Sequence, residues 1–290
     1  MSKRILLTGA NGGFGKLIVK ALVDRGHSVA AAMRGVTGKN KAAADEFQKA
    51  SVAVVEIDVT DDASVTSGVA AAKKALGGLD VVINNAGTGV LGLQEMFTAD
   101  DWKRLFDINV FGVQRVNRAV LPEMRSRKSG LLVHMSSLLG RIAIPFYGPY
   151  NASKWALEAL AENYRVELSG FGVDVVIVEP GGYPTSFINN LLKPGDTSLA
   201  AGYGEMAGAA EGFLKGFEGA LASNPAQDPV NVATAVADVI DMTPGTRPFR
   251  TIVDKMGMGE HIQGYNDQLA AITSGIYNAF GIGGMLTLKQ

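Results

Sequence analysis

The amino-acid sequence predicts a doubly wound α/β fold, a mostly parallel sheet with helices on both faces. Short apolar runs rich in β-branched residues recur along the chain, and longer Ala- and charge-rich stretches with helical spacing lie between them. Strands that are apolar on both faces and alternate with helices argue for a buried parallel sheet. At 290 residues the chain can bury about three quarters of its unfolded surface, so a single domain over 1–290 is expected.

The expected strands are RILLT (4–8), SVAAAM (28–33), AVVEIDV (53–59), LDVVINN (79–85), GLLVHMSS (130–137), VDVVIVEP (173–180) and FRTIVD (249–254). Helical patterns fill 14–26, Ala99 to Lys128, the stretch after Pro149, and 231–242. After Pro180 the rhythm changes. Residues 186–227 are Gly-, Ala- and Ser-rich and carry Phe187, Leu191, Leu192, Leu199, Tyr203, Met206, Phe213 and Phe217. That pattern suits an apolar lid over a substrate and equally an amphipathic helix packed on the core. Residues 255–290 read as a C-terminal extension that either joins an interface or closes the lid.

Composition narrows the function classes. Residues of the AVILMFWYC set make up 47% and charged residues 19%, which excludes a disordered chain. The net charge of −1 gives no field to draw the chain to nucleic acid or anionic lipid. Without cysteine there is no disulfide scaffold, thiolate site or cysteine nucleophile, and three scattered histidines form no local metal pattern. No metal is expected. The apolar stretch Ile5-Leu6-Leu7 is too short for a signal peptide, and no run approaches the ~20 residues of a membrane span. A cytoplasmic protein with no membrane association is the expectation.

The first strand runs into Thr8-Gly9-Ala10-Asn11-Gly12-Gly13-Phe14-Gly15 and then into a helix. Glycines at 9, 13 and 15 let the backbone turn tightly, approach a pyrophosphate and open a helix whose N-terminal N–H groups favour an anion. Where a second strand serving NAD would end in an acidic residue, Met33 is followed by Arg34. Its guanidinium either pairs with a ribose 2′-phosphate or is a solvated surface charge near Lys39 and Lys41. Asp58 either accepts a hydrogen bond from an adenine amine or belongs to the N-cap region of a helix starting near Asp61-Asp62. Asn85-Ala86-Gly87 is a small-residue turn that lets backbone lie close to a ligand.

Tyr150 and Lys154, four apart on the helix that follows Pro149, share one face. A fixed ammonium near a phenol favours phenolate and is expected to lower its pKa toward the working range. Ser137, at the carboxyl end of the fifth strand, sits where open α/β sheets bind ligands and can polarise the same substrate oxygen.

In this order, TGANGGFG (8–15), Asp58-Val59, NNAG (84–87), Asn109, SS (136–137), YNASK (150–154) and EPGGYPT (179–185) resemble the short-chain dehydrogenase/reductase family, over the first two thirds of the chain. The resemblance implies a Rossmann fold and hydride transfer between a nicotinamide cofactor and a carbonyl or alcohol. It implies that Tyr150 donates and accepts the proton, that Ser137 holds the substrate oxygen, and that Lys154 binds the nicotinamide ribose and lowers the Tyr pKa. Asn109 matches the family residue whose backbone distorts its helix and holds a relay water. Thr8, Gly9, Asn11, Gly13, Phe14, Gly15, Arg34, Asp58, Val59, Asn85, Ala86, Gly87, Pro180, Gly181 and Thr185 complete the cofactor set, with Tyr150 and Lys154.

NADP is the expected cofactor and an apolar ketone or aldehyde the expected substrate. In one departure, Gly12 stands where many NADP-preferring relatives carry a second basic residue. A homo-oligomer, dimer or tetramer, is implied through helices near 99–127 and 150–170. Two rival activities remain on the same fold: a non-catalytic NADP sensor, which would be expected to lack part of the Tyr/Lys/Ser set, and an epimerase or dehydratase, which would not consume cofactor.

Overall fold

A computed structural model describes residues 2–289. Seven strands, β1 (Arg4–Thr8), β2 (Ser28–Met33), β3 (Ala53–Glu56), β4 (Val81–Asn84), β5 (Gly130–Met135), β6 (Val173–Pro180) and β7 (Arg250–Val253), form one sheet in the order β3-β2-β1-β4-β5-β6-β7. Every pairing is parallel, as the two-faced apolar runs predict. β3 stops at Glu56 and not at Val59, because the Asp58 carboxylate turns back to accept from the Thr60 N–H and hydroxyl at 3.0 and 2.7 Å.

The helices are α1 (Gly13–Asp24), α2 (Lys41–Lys49), α3 (Asp62–Leu76), α4 (Ala99–Phe106), α5 (Gly112–Ser126), α6 (Gly148–Leu168), α7 (Ala209–Ala222), α8 (Val230–Asp241) and α9 (Gly259–Ala279). One sheet face packs Leu7, Ala31, Val133 and Val178 against Ile18, Leu22 and Phe47 of α1 and α2 and Val232 and Val236 of α8. The opposite face packs Leu6, Val82, Leu132 and Ile177 against α3, α5 and α6 through Val69, Val120 and Ala161. Helices therefore cover both faces. No helix among the described residues is long and apolar enough to cross a membrane, and none of their His, Cys, Asp or Glu side chains group as a metal site.

The chain order reverses between β1 and β4, so their carboxyl ends diverge and open a crevice. A third, smaller apolar cluster stands over that end of the sheet. It joins Val90, Leu91, Tyr147 and Tyr150 to Phe187, Leu191 and Phe213 from the segment after β6.

Candidate active site

The glycine loop wraps the start of α1 tightly. Gly9 has a φ of +66°, and a side chain there would press its Cβ to 2.8 Å from the Ala86 Cα. At Gly13 a Cβ would reach 2.6 Å from that of Thr185, and at Gly15 it would collide with the Gly9 carbonyl and come within 2.8 Å of Ala10. No side chain caps the first turn of α1, so its N–H groups face the loop as donors to an anion. A cradle that admits no Cβ beside uncapped N–H donors fits a dinucleotide pyrophosphate.

Side chains next to the cradle hold it in place. Thr8 Oγ1 accepts from the Asn85 and Ala86 N–H groups, both at 3.1 Å, and Asn85 Nδ2 donates to the Thr8 and Gly9 carbonyls at 3.0 and 3.1 Å. Thr8 and Asn85 thus fasten the glycine loop to the turn after β4. Phe14 packs edge-on to Tyr183 at 5.7 Å between centroids. Asn11 Nδ2 donates to Asn40, whose own Nδ2 donates to the Arg34 carbonyl.

Arg34 is exposed at the end of β2, with Nη1 3.9 Å from Asp58 Oδ2. Its loop is pinned by Glu56, whose carboxylate accepts the Gly35 and Val36 N–H groups at 2.6 and 2.8 Å. The cap of α3 is Asp61, which accepts from the Ser64 N–H, and Asp58 stands outside it. Burial raises the Asp58 pKa, but the Thr60 bonds and the charges of Arg34 and Lys39 leave it below the usual carboxylate value. Val59 turns into the core, and its carbonyl accepts from Arg115 at 3.2 Å.

Between α4 and α5 the chain forms a π-helical segment, Asp107–Phe111, which contains the buried Asn109. The widened turn frees Asn109 to bond sideways. Its Oδ1 accepts from the Thr88 N–H at 3.0 Å, and its Nδ2 donates to the Thr88 carbonyl at 2.9 Å and to Ser153 Oγ at 3.0 Å. The adjacent Gly87 admits a Cβ only at 3.4 Å from Asn109 Oδ1. Nothing local in the sequence marks Thr88 or Ser153 as partners of Asn109, since they lie 21 and 44 residues from it. Ser153 lies within YNASK, and its direction toward Asn109 depends on how α6 crosses the π-segment.

Pro149 occupies the first turn of α6, which brings Tyr150 and Lys154 onto one buried face. Ser137 caps a short turn, Leu138–Gly140: its Oγ accepts from the Leu139 N–H at 3.2 Å and donates to the Pro180 carbonyl at 3.4 Å. The Ser137 hydroxyl lies close enough to the Tyr150 phenol to favour its ionised form. Lys154 Nζ donates to the Met135 carbonyl at 2.7 Å and lies 5.6 Å from the Tyr150 ring centroid.

The electrostatics correct one expectation. The Tyr150 phenol is pushed up, not down: burial disfavours phenolate, and the nearby Ser137 hydroxyl offsets this only in part. Burial also lowers the Lys154 pKa to about 8, with the Glu158 charge opposing the fall.

At the end of β6 the Gly181 N–H donates to the Val253 carbonyl at 2.8 Å, and a Cβ on Gly181 would strike Asp254. Buried Gln227 donates to the Gly182 carbonyl at 2.6 Å and accepts from the Lys255 N–H. Gln227 had no signal in the sequence, because its partners lie 45 and 28 residues away. Phe187 and Tyr147 both pack on the Tyr150 ring, at 5.7 and 6.4 Å between centroids, and Phe213 joins Tyr147 at 6.3 Å. Leu199 and Met206 are exposed, so only part of the apolar segment after β6 faces the tyrosine.

Comparison with known proteins agrees with this architecture. A family model described as short chain dehydrogenase matches residues 3–194. The 3-ketodihydrosphingosine reductase of Bacteroides thetaiotaomicron is 37% identical over 186 residues, which cover 64% of this chain and 66% of that protein. The crystal structure of a short-chain dehydrogenase from Streptomyces avermitilis is 28% identical with a TM-score of 0.75, covering 98% of this chain and 99% of that one. A short chain dehydrogenase/reductase from Burkholderia phymatum in complex with NAD is 25% identical with a TM-score of 0.71, covering 87% and 89%. Sheet order, glycine cradle and family match converge, and the chain belongs to the short-chain dehydrogenase/reductase family of nicotinamide-dependent oxidoreductases.

Proposed function

We propose that the protein reduces apolar ketones or aldehydes, using NADPH in preference to NADH. The observation that carries the proposal is the convergence of Ser137, Tyr150 and Lys154 at the foot of an apolar cluster, with Lys154 Nζ 5.6 Å from the Tyr150 ring centroid and Ser137 acting on its phenol. The nicotinamide, when bound, supplies the hydride to the carbonyl carbon. Gly9, Gly13 and Gly15 would hold its pyrophosphate, Asn85 and Ala86 would keep that loop in place, and Thr185 and Pro180-Gly181 would line the ring.

The residues of the chain manage the proton. A phenol kept neutral by burial holds its proton at pH 7, which suits Tyr150 to give it to the substrate oxygen as negative charge develops there. Ser137 Oγ would donate to the same oxygen. With a pKa of about 8, Lys154 is mostly protonated at pH 7 and can stabilise the phenolate that Tyr150 becomes. Asn109 fixes Ser153, three residues after Tyr150, and so steadies the first turn of α6.

Phe187, Tyr147, Phe213 and Leu191 around Tyr150 favour a lipophilic carbonyl compound, with residues 186–227 as its lid. A sphingoid ketone, named for the Bacteroides relative, is one compound of that kind. A panel of long-chain ketones and aldehydes incubated with NADPH and NADH tests the proposal: one alcohol should form per NADPH consumed. Absence of turnover across the panel would favour a sensor, and product formed without net cofactor use an epimerase or dehydratase.

NADPH preference rests on Arg34 and Lys39 in a loop that Glu56 and Asn40 hold in shape. Arg34→Asp should weaken NADPH binding about 10- to 100-fold, the worth of a charge-assisted phosphate contact, and leave NADH nearly unchanged. Fluorescence titration with both cofactors measures this. Equal weakening would make Arg34 a surface charge.

A further inference from the structure

Four elements bury a charged cluster beside the Ser137 turn. Arg141 Nε donates to Glu179 Oε1 at 3.2 Å, and its Nη2 donates to Glu158. Arg250 Nε donates to Glu158 Oε2 at 3.0 Å and lies 3.4 Å from Glu179 Oε1, while Glu162 pairs with both guanidinium groups at the rim. A fifth element closes the cluster. Asn266 of α9, 5% exposed, donates Nδ2 to Glu179 Oε2 at 2.7 Å, and the neighbouring Tyr265 ring lies 5.9 Å from the Arg141 guanidinium.

Each limb of the cluster ends next to a proposed catalytic or cofactor group. Arg141 follows Ser137 by four residues across the Leu138–Gly140 turn, and its N–H donates to the Leu138 carbonyl at 2.9 Å. Glu158 lies one helical turn beyond Lys154, and Glu179 immediately precedes Pro180, whose carbonyl accepts from Ser137. Burying ions is a poor way to gain stability, since apolar replacements often serve as well. What directional bonds among five elements do supply is fixed relative position.

We propose that Asn266 is a positioning residue: from α9 it holds Glu179, and through Glu179 and Arg141 it sets the Ser137 turn against the Pro180-Gly181 turn. This rests on the assignment of Ser137 and Tyr150 above. It gives part of the C-terminal extension a place in the site's framework.

The groups facing Glu179 are Arg141 from the turn, Glu158 from α6, Arg250 from β7 and Asn266 from α9, and Glu162 of α6 pairs with the same two guanidinium groups from the rim. Burial pushes Glu179 up and the Glu158 charge adds to this, while the Asn266 bond and the two guanidinium groups pull it down. Without Asn266, Glu179 takes up a proton at higher pH and its hold on Arg141 lapses.

The test compares full-length Asn266→Leu with the parent chain by hydrogen exchange and by NADPH-dependent reduction of 9,10-phenanthrenequinone. Exchange should quicken about tenfold in peptides 136–142 and 179–183 and stay unchanged in 4–24. Turnover should fall about tenfold through kcat, with KM and NADPH affinity within about threefold, and the acid limb of the kcat profile should move to higher pH. Unchanged exchange at 136–142 overturns the proposal whatever the turnover. If Asn266→Leu does not fold, Asn266→Asp, which keeps the shape and sets a second carboxyl against Glu179, is read by the same criteria. Tyr150→Phe in the same assay separates the two readings: full turnover there would refute the catalytic assignment, while the exchange data still decide the role of Asn266.

Discussion

Tyr150→Phe should cut reduction of a carbonyl substrate about 1000-fold while NADPH affinity stays within about threefold, because only the proton donor is removed. The phenyl ring keeps the packing against Phe187 and Tyr147, so the apolar cluster should survive. Ser137 keeps its bonds to the Leu139 N–H and the Pro180 carbonyl, so its turn should not collapse when the hydroxyl is lost. The effect should therefore appear in kcat and kcat/KM alike. Stopped-flow measurement of NADPH oxidation on a saturating ketone, beside a fluorescence titration of NADPH, would check it. Turnover within tenfold of the parent would mean that another group, or water, delivers the proton.

The frame around Tyr150 is readable from sequence for a physical reason. Parallel strands buried on both faces leave continuous apolar runs, and β1, β2 and β6 begin and end where RILLT, SVAAAM and VDVVIVEP do. Glycines 9, 13 and 15 were also legible, since loops that admit no Cβ can hold little else. Two features were not. The pKa of Tyr150 was expected to fall because an i, i+4 lysine is visible in the sequence, whereas burial is set by α6, β5 and the segment carrying Phe187 together, and burial wins. The bond from Asn266 to Glu179 spans 87 residues, and its register depends on how α9 lies against β7. Local periodicity carries no record of such a contact.

The floor of the site should also set the acid limit of stability. His134 lies on β5 next to Met135, whose carbonyl holds Lys154. It is fully buried among Asn84 and Asn117, and burial, with the Lys154 charge adding, lowers its pKa from 6.5 to about 3. In the unfolded chain the same imidazole binds a proton near pH 6.5. Between about pH 6.5 and 3 the unfolded state therefore holds more protons, and stability falls as pH falls, at about 1.4 kcal/mol per pH unit. Down to pH 4.5 the loss from His134 is about 3 kcal/mol, a large share of the roughly 5–15 kcal/mol that holds a domain together.

Glu179 acts in the opposite sense there, because a carboxyl whose folded pKa is raised gains protons first in the folded state. A difference between variants isolates the histidine. Urea titrations of the parent and His134→Gln at pH 7.0 and 4.5 should show the variant losing about 3 kcal/mol less over that interval, whatever its stability at pH 7.0. Equal losses would mean that water reaches the imidazole and lets it charge in place. His134 would then place no acid limit on the strand that carries the Lys154 anchor.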